Sequence, residues 1–108
     1  LLSKQLERLP TAMRIDQSVI DGCESSAWLV AQKKHDGNWQ FSADSDAKVI
    51  RGLMVIVLSV YQNKSSQDIL AFDVDDYFKQ LGLIEHLSPS RGNGLRAIVA
   101  KIKMLVAD

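Results

Sequence analysis

The stretch from Ala27 to Ala43 constrains the fold more than any other part of the chain, because it predicts a β-hairpin. An apolar run over 27–31 is followed by Asp36-Gly37, a strong signal for a tight turn. In the segment 39–43 apolar and polar residues then alternate, as they do in a strand with one buried face. The sequence therefore predicts two antiparallel strands joined by a short turn.

We expect Asp36-Gly37 to form a two-residue type I′ turn, which fixes the register of the hairpin. In that register Val30 faces Ala43, and the apolar first strand is buried on both sides. One face of the sheet then carries four apolar side chains: Trp28, Val30, Phe41 and Ala43. The same register places Cys23 beside Asp46, at the start of the next element.

Helical periodicity dominates the rest of the chain. Residues 46–62 predict a central buried helix capped by Ser45 or Asp46. Further helix starts are predicted at the capping residues Ser65, Asp73 and Ser88, the last followed by Pro89. Before the hairpin, Leu2, Leu6 and Leu9 indicate a helix that ends at Pro10, and Ser18 to Ile20 gives a weak strand signal.

Composition restricts the class of protein. A chain of 108 residues with 46% hydrophobic content is expected to form one domain over 1–108. Its 13 basic and 13 acidic residues cancel, so no net field favours nucleic acid or a membrane surface. The longest apolar run, 53–58, is too short to span a bilayer, and a single cysteine excludes an internal disulfide and favours a reducing cytoplasm. Because the chain begins at Leu1, we expect its N-terminal helix to be truncated.

Several familiar sites are disfavoured by spacing. The acids Asp73, Asp75 and Asp76 lack the glycine and glutamate of a calcium loop, so helix capping explains them better. His35 and His86 have no partner at zinc-ligand spacing, and no motif around either supports a Cys-His hydrolase. Gly92 and Gly94 are not expected to form a phosphate loop, because the lysine and the spacing of that motif are absent. No metal site is expected.

Cys23 is open to two interpretations. A lone cysteine is often a small buried hydrophobe, but this one follows a glycine in a connecting loop, where functional residues concentrate. The nearby helix start favours the thiolate, whereas the neighbouring acids disfavour it. These acids are Asp21, Glu24, Asp44 and Asp46. The sequence predicts a partly sheltered thiol that is placed for exchange but is not activated by itself, which suits an acceptor that waits for a partner.

Five motifs occur in order along the chain: Ile20-Asp21-Gly22-Cys23-Glu24-Ser25 with Trp28-Leu29, Asp44-Ser45-Asp46-Ala47 with Ile50-Arg51-Gly52-Leu53, Phe72-Asp73, Leu81-Gly82-Leu83, and His86-Leu87-Ser88-Pro89-Ser90-Arg91 with Asn93-Gly94-Leu95. Together they resemble the SufE/CsdE family of cysteine-desulfurase sulfur acceptors, and they span nearly the whole chain. The resemblance implies an α+β fold, in which helices pack on one face of a small antiparallel sheet of about three strands. This fold is shared with iron-sulfur scaffold proteins and agrees with the predicted order of elements.

The resemblance also implies a function. A PLP-dependent cysteine desulfurase would form a persulfide on its own cysteine, and Cys23 would accept the outer sulfur and pass it on, mainly toward iron-sulfur cluster assembly. Gly22, Asp46 and Arg91 would lie at the desulfurase-binding surface. The chain itself would be a non-enzymatic, bacterial accessory protein without a cofactor, a monomer or weak homodimer that also meets a downstream acceptor or scaffold.

Other interpretations stay open beside this one. Asp46 caps a helix equally well, whereas Arg91 lies near a predicted helix start, where a cation is unfavourable, and is harder to explain by stability alone. The chain could be a binding module that regulates a desulfurase without carrying sulfur, or a thiol enzyme acting alone. One cysteine does not suffice to hold an iron-sulfur cluster.

Overall fold

A computed structural model describes residues 8–22, 26–82 and 87–107. The strands are β1 (Ala27–Lys33), β2 (Asn38–Ser45) and β3 (Lys64–Ser65), and the helices are α1 (Lys48–Tyr61), α2 (Ser66–Ala71), α3 (Val74–Gln80) and α4 (Pro89–Val106). Two short 3-10 helices, Thr11–Met13 and Asp16–Ser18, precede β1. The predicted helix through Leu2 and Leu6 lies outside the described residues, as do Cys23 and His86.

The three strands form one antiparallel sheet in the order β1-β2-β3, which confirms the α+β class. The third strand is not the one predicted. Residues 18–20 contribute only an isolated bridge between Val19 and Trp28. Instead, Asn63 adopts a φ of 61° after α1, and its N–H donates to the carbonyl of Trp39 at 2.8 Å. This turn brings β3 back beside the start of β2.

The predicted hairpin is present, but its register is one residue away from the prediction. The N–H of Gly37 donates to the carbonyl of Lys34, and Gly37 has a φ of +86°. The loop therefore has three residues, 35–37, with glycine in the left-handed position, rather than a two-residue type I′ turn. Because side chains alternate between the two faces of a strand, the extra loop residue turns Ala27 and Leu29 toward the buried face in place of Trp28 and Val30.

The buried face of the hairpin packs against the helices. Leu29 pairs with Ala43, and Ala27 with Ser45. The prediction that Trp28 and Val30 share this face is wrong, since both are half-buried on the opposite face. β1 is accordingly well buried on one side only. The core cluster joins side chains of the sheet and helices, including Ala27, Leu29, Phe41, Ala43, Leu53, Met54, Val57, Tyr61, Ile69, Phe78, Leu95, Ile98 and Ile102.

Helix caps agree with the sequence at three of the four helices. Ser65 accepts a hydrogen bond from the N–H of Asp68, Asp73 from that of Asp76, and Ser88 from that of Arg91. The exception is α1, whose N-cap residue, Ala47, offers no side-chain hydrogen bond. The prediction that Ser45 or Asp46 caps this helix is therefore wrong.

Candidate functional site

The residues on either side of Cys23 are joined by backbone contacts. The N–H of Ile20 donates to the carbonyl of Ala27 at 2.9 Å, next to the Val19–Trp28 bridge. These contacts close residues 21–26, here called the cysteine loop, at its base. Ile20 and Ala27 are both buried, so the base of the loop belongs to the core.

The first part of the cysteine loop lies against α4. Gly22 has a φ of +86°, which favours glycine, and a Cβ added there would lie 3.7 Å from the Cβ of Ala97. One turn further along, the ammonium group of Lys101 donates to the carbonyl of Gln17 at 2.8 Å. Arg91 belongs to the same helix, about 9 Å from Ala97 along its axis. The helix that carries Arg91 therefore also supports the start of the loop.

The last part of the cysteine loop is tied to the segment between β2 and α1. The Oγ of Ser45 donates to the carbonyl of Ser26 at 2.7 Å, and the N–H of Asp46 donates to the same carbonyl at 3.2 Å. The predicted proximity of Cys23 and Asp46 stays a prediction, because Cys23 is outside the described residues. The contact observed is that of Ser26 with Asp46.

A buried ion cluster lies beside this segment. The side chain of Asp44 is fully buried and faces the guanidinium groups of Arg14 at 2.6 Å, Arg8 at 3.2 Å and Arg51 at 3.3 Å. Its carboxylate also accepts hydrogen bonds from the N–H groups of Leu9, at 3.0 Å, and Ser45, at 2.8 Å. We call Asp44 and these three arginines the Asp44 cluster.

The surroundings of Asp44 keep its carboxyl group ionised. Burial alone would raise its pKa, but the hydrogen bonds from Leu9 and Ser45, the charge of Arg8 and the hydrogen bond from Arg14 outweigh burial. The pKa of Asp44 therefore lies below its usual range. A buried carboxylate with these partners holds its hydrogen-bond donors in place, here Leu9, Arg14 and Ser45.

The Asp44 cluster reverses part of the charge argument made from the sequence. Asp44 was counted among acids that disfavour a thiolate, yet its charge is matched by three arginines. One carboxylate and three guanidinium groups leave these four side chains with a net charge of +2. The expectation that Asp44 adds negative charge near the cysteine loop is therefore wrong.

The structure removes one of the two roles left open for Asp46. Asp46 is exposed, caps no helix and makes no side-chain hydrogen bond or ion pair within the described ranges. Arg91 is exposed in the first turn of α4, and within the same ranges its guanidinium makes no ion pair. Helix capping therefore does not account for Asp46, and its place at a partner surface stays a prediction.

Sequence reasoning missed Asp44 and Ser45 as site-forming residues. Both are fully buried polar residues at the end of β2, next to the predicted partner contact Asp46. The available signal was the buried face of the strand: in the correct register Ser45 continues the row of Ala43 and Phe41. A polar residue in such a row needs a hydrogen-bond partner, and Ser26 is that partner.

Among residues 8–22, 26–82 and 87–107, no group of three or more acidic, histidine or cysteine side chains could hold a metal ion. In the same part of the chain, no helix has the length and apolar character needed to cross a membrane.

The fold is that of a known class of small α+β proteins. A solution structure of a hypothetical protein from Thermus thermophilus matches it with a TM-score of 0.79 at 15% sequence identity. The match covers 98% of this chain and 76% of the other.

Family membership follows from the sequence itself. The family model described as SufE, the Fe-S metabolism associated domain, matches residues 1–106. The chain therefore belongs to the SufE family, which confirms the resemblance and associates the protein with iron-sulfur metabolism.

Proposed function

We propose that this protein is a sulfur acceptor that receives sulfane sulfur from a PLP-dependent cysteine desulfurase on Cys23, stimulates the desulfurase and passes the sulfur on toward iron-sulfur cluster assembly. The observation that carries the proposal is the anchoring of the cysteine loop in a chain of the SufE family. The loop is held at Ile20 and at Ser26, between α4 and the start of α1. A loop held on rigid elements can offer one reactive group to a partner.

The transfer is a thiol exchange without an external oxidant or reductant. The thiolate of Cys23 attacks the outer sulfur of the desulfurase persulfide, and a new S–S bond forms. The original S–S bond breaks, and the desulfurase cysteine leaves as a thiolate. The outer sulfur keeps its proton, so Cys23 becomes a persulfide while the donor returns to its reduced state.

The division of labour follows from this chemistry. Cleavage of the carbon-sulfur bond of cysteine belongs to the desulfurase and its PLP, so the present chain needs no cofactor of its own. Its proposed place of action is the cytoplasm, where a free thiol stays reduced. Asp46 and Arg91, both exposed, supply one charge of each sign to the partner surface beside the loop. Gly22 gives the start of the loop its φ of +86°, which favours glycine.

Mass spectrometry of the intact chain tests the proposal. The protein is incubated with a cysteine desulfurase and free cysteine, and wild type is compared with Cys23→Ser. The wild-type chain should gain the mass of one sulfur atom, and Cys23→Ser should not. Incubation with cysteine alone is the control for a thiol enzyme that acts unaided.

The alternative of a regulatory module that carries no sulfur predicts a different result. In that case Cys23→Ser would stimulate the desulfurase as well as wild type does, and no sulfur would appear on either chain. That pair of results would falsify the relay. Sulfur gained without any desulfurase would also contradict it.

A further inference from the structure

We propose that Ser45 and Asp44 position the cysteine loop for sulfur acceptance, acting from the end of β2 on the two sides of the loop. The inference deepens the function proposed above and rests on it. Both are assigned as positioning residues, because their described contacts are with the chain on either side of Cys23. Ser45 binds Ser26, the last residue of the loop. Asp44 binds Leu9 and Arg14, in the segment that precedes the loop.

Ser45 acts on the last residue of the loop. Its side chain is fully buried, and its Oγ donates to the carbonyl of Ser26 while accepting from the N–H of Ala47 at 3.1 Å. The carbonyl of Ser26 thus receives two hydrogen bonds, from the Oγ of Ser45 and the N–H of Asp46. The end of the loop is fixed relative to Asp46 and Ala47, which lead into α1.

Asp44 acts on the segment before the loop. Its Oδ2 accepts from the N–H of Leu9 and from Arg14, whose Nε also donates to the carbonyl of Leu9 at 3.3 Å. The guanidinium of Arg14 lies 4.8 Å from the ring centroid of Trp28, the bridge partner of Val19. The contacts of Asp44 therefore reach the base of the loop.

A second group of hydrogen bonds, around Ser18, lies between Arg14 and the cysteine loop. The buried Ser18 accepts from the N–H of Ile15 at 3.1 Å and donates to the carbonyl of Met13 at 2.7 Å. Ile20 then pairs with Ala27, and Gly22 meets Ala97. Leu9 and Arg14 are thus linked to β2, Ile20 to β1, and Gly22 to α4.

Stability alone is a poor explanation for this arrangement. Replacing a buried ion cluster by apolar residues of similar volume is often neutral or stabilising, so burying Asp44 gains little by itself. The polar contacts instead fix the orientation of the loop ends, because each hydrogen bond sets the relative positions of the two groups that it joins. Thiol exchange needs its atoms about 3–3.5 Å apart and aligned, and a misplacement of about 1 Å costs up to about 100-fold in rate.

The test compares Ser45→Ala with Ser42→Ala, an exposed serine on the same strand. Desulfurase-dependent sulfur loading of Cys23 is measured against acceptor concentration, and alkylation of Cys23 by iodoacetamide is measured separately. For Ser45→Ala we expect the maximal loading rate to fall at least about tenfold, since the loop is misplaced. The half-saturating concentration and the alkylation rate should stay at their wild-type values, because neither depends on alignment with the donor sulfur.

Two results would overturn the positioning role. One is a maximal loading rate for Ser45→Ala equal to that of Ser42→Ala. The other is a parallel fall of loading and alkylation, which indicates a general loss of thiol reactivity. If Ser45→Ala does not fold, as judged by thermal melting, Arg14→Lys replaces it. That variant keeps the charge but loses the forked geometry of the guanidinium, and the same split of rates is expected.

Failure of the proposed function is recognised separately. If wild-type protein accepts no sulfur from any desulfurase, the relay is refuted while the positioning role can still be judged by amide hydrogen exchange. Exchange at the N–H groups of Ile20 and Asp46 should be faster in Ser45→Ala than in Ser42→Ala. Equal exchange in the two variants contradicts the role of Ser45, whatever the loading experiment shows.

Discussion

Replacing Asp44 with asparagine should destabilise the protein strongly, although the side chain keeps its shape. One carboxylate oxygen accepts from Leu9 and Arg14, and the other accepts from Ser45 and faces Arg51. The asparagine amide has only one acceptor oxygen. Its NH2 group would therefore face either the donors Leu9 and Arg14 or the donors Ser45 and Arg51. Each charge-assisted hydrogen bond is worth about 1.5–3 kcal/mol.

The magnitude follows from which groups lose their partner. Arg8 is 57% exposed and can be resolvated, so its loss costs little, whereas Arg51 is 11% exposed. Removing one partner of a buried ion pair typically costs about 3–5 kcal/mol, and we expect Asp44→Asn to fall in this range. A loss of about 3 kcal/mol lowers the Tm of a domain of this size by about 12–24 °C.

Urea unfolding at several pH values provides the assay. Because the folded-state pKa of Asp44 is lowered, its contribution is fully present above the unfolded-state pKa of about 3.9 and is lost as the pH falls through the folded-state value. The difference between wild type and Asp44→Asn should therefore be constant near neutral pH and shrink in acid. Asp21→Asn, an exposed acid in a turn, is the matched control and should change stability by less than about 0.5 kcal/mol. A loss below about 1 kcal/mol for Asp44→Asn at neutral pH, or a difference that does not shrink in acid, would refute the reasoning.

Four further substitutions test other parts of the structure. Tyr61→Phe should leave stability unchanged or raise it by about 1 kcal/mol in urea unfolding, because the buried hydroxyl has no hydrogen-bond partner in the described part of the chain. Burial, with a smaller effect of Asp75, also raises the pKa of Tyr61 to about 12, so its phenolate absorbance should appear only in strong alkali. Gly92→Ala should stabilise α4 by about 0.5–1 kcal/mol, since an added Cβ meets nothing within 4 Å; a loss of stability would contradict this. Gly22→Ala should cost about 1–2 kcal/mol through its φ rather than through crowding, and Gly37→Ala, at the same φ of +86°, should cost the same.

Local chemistry explains why much of the fold could be predicted from sequence. Ser65, Asp73 and Ser88 cap helices through bonds to residues three positions ahead, so the pattern alone contains both partners. Phe72 and Tyr77 form a hydrophobic staple around the Asp73 cap, with ring centroids 5.7 Å apart. These contacts need no knowledge of the rest of the molecule.

Predictions failed where a distant contact decides between local options. Asp36-Gly37 is compatible with a two-residue or a three-residue hairpin loop, and the choice depends on which face of β1 the helices cover. Trp28 is larger and more apolar than Ala27, yet it lies on the half-buried face, with the guanidinium of Arg14 over its ring. The third strand was missed because β3 is only two residues long and depends on the turn at Asn63.

The Asp44 cluster also changes the reason for expecting a partner-dependent thiol. From sequence, the reason was the negative charge around Cys23, but the charge of Asp44 is outweighed by three arginines in a cluster of net charge +2. Beside the charges of Asp21, Glu24 and Asp46 there is now a second reason, the anchoring of the loop through Ser45 at one end and through Ile20 at the other. The two reasons respond differently to ionic strength. Control by charge would make the alkylation rate of Cys23 depend on salt, because exposed charges are screened over a Debye length of about 10 Å at 0.1 M. Control by anchoring would leave that rate unchanged by salt and make sulfur loading sensitive to Ser45, so the choice between them can be made without a structure of the complex.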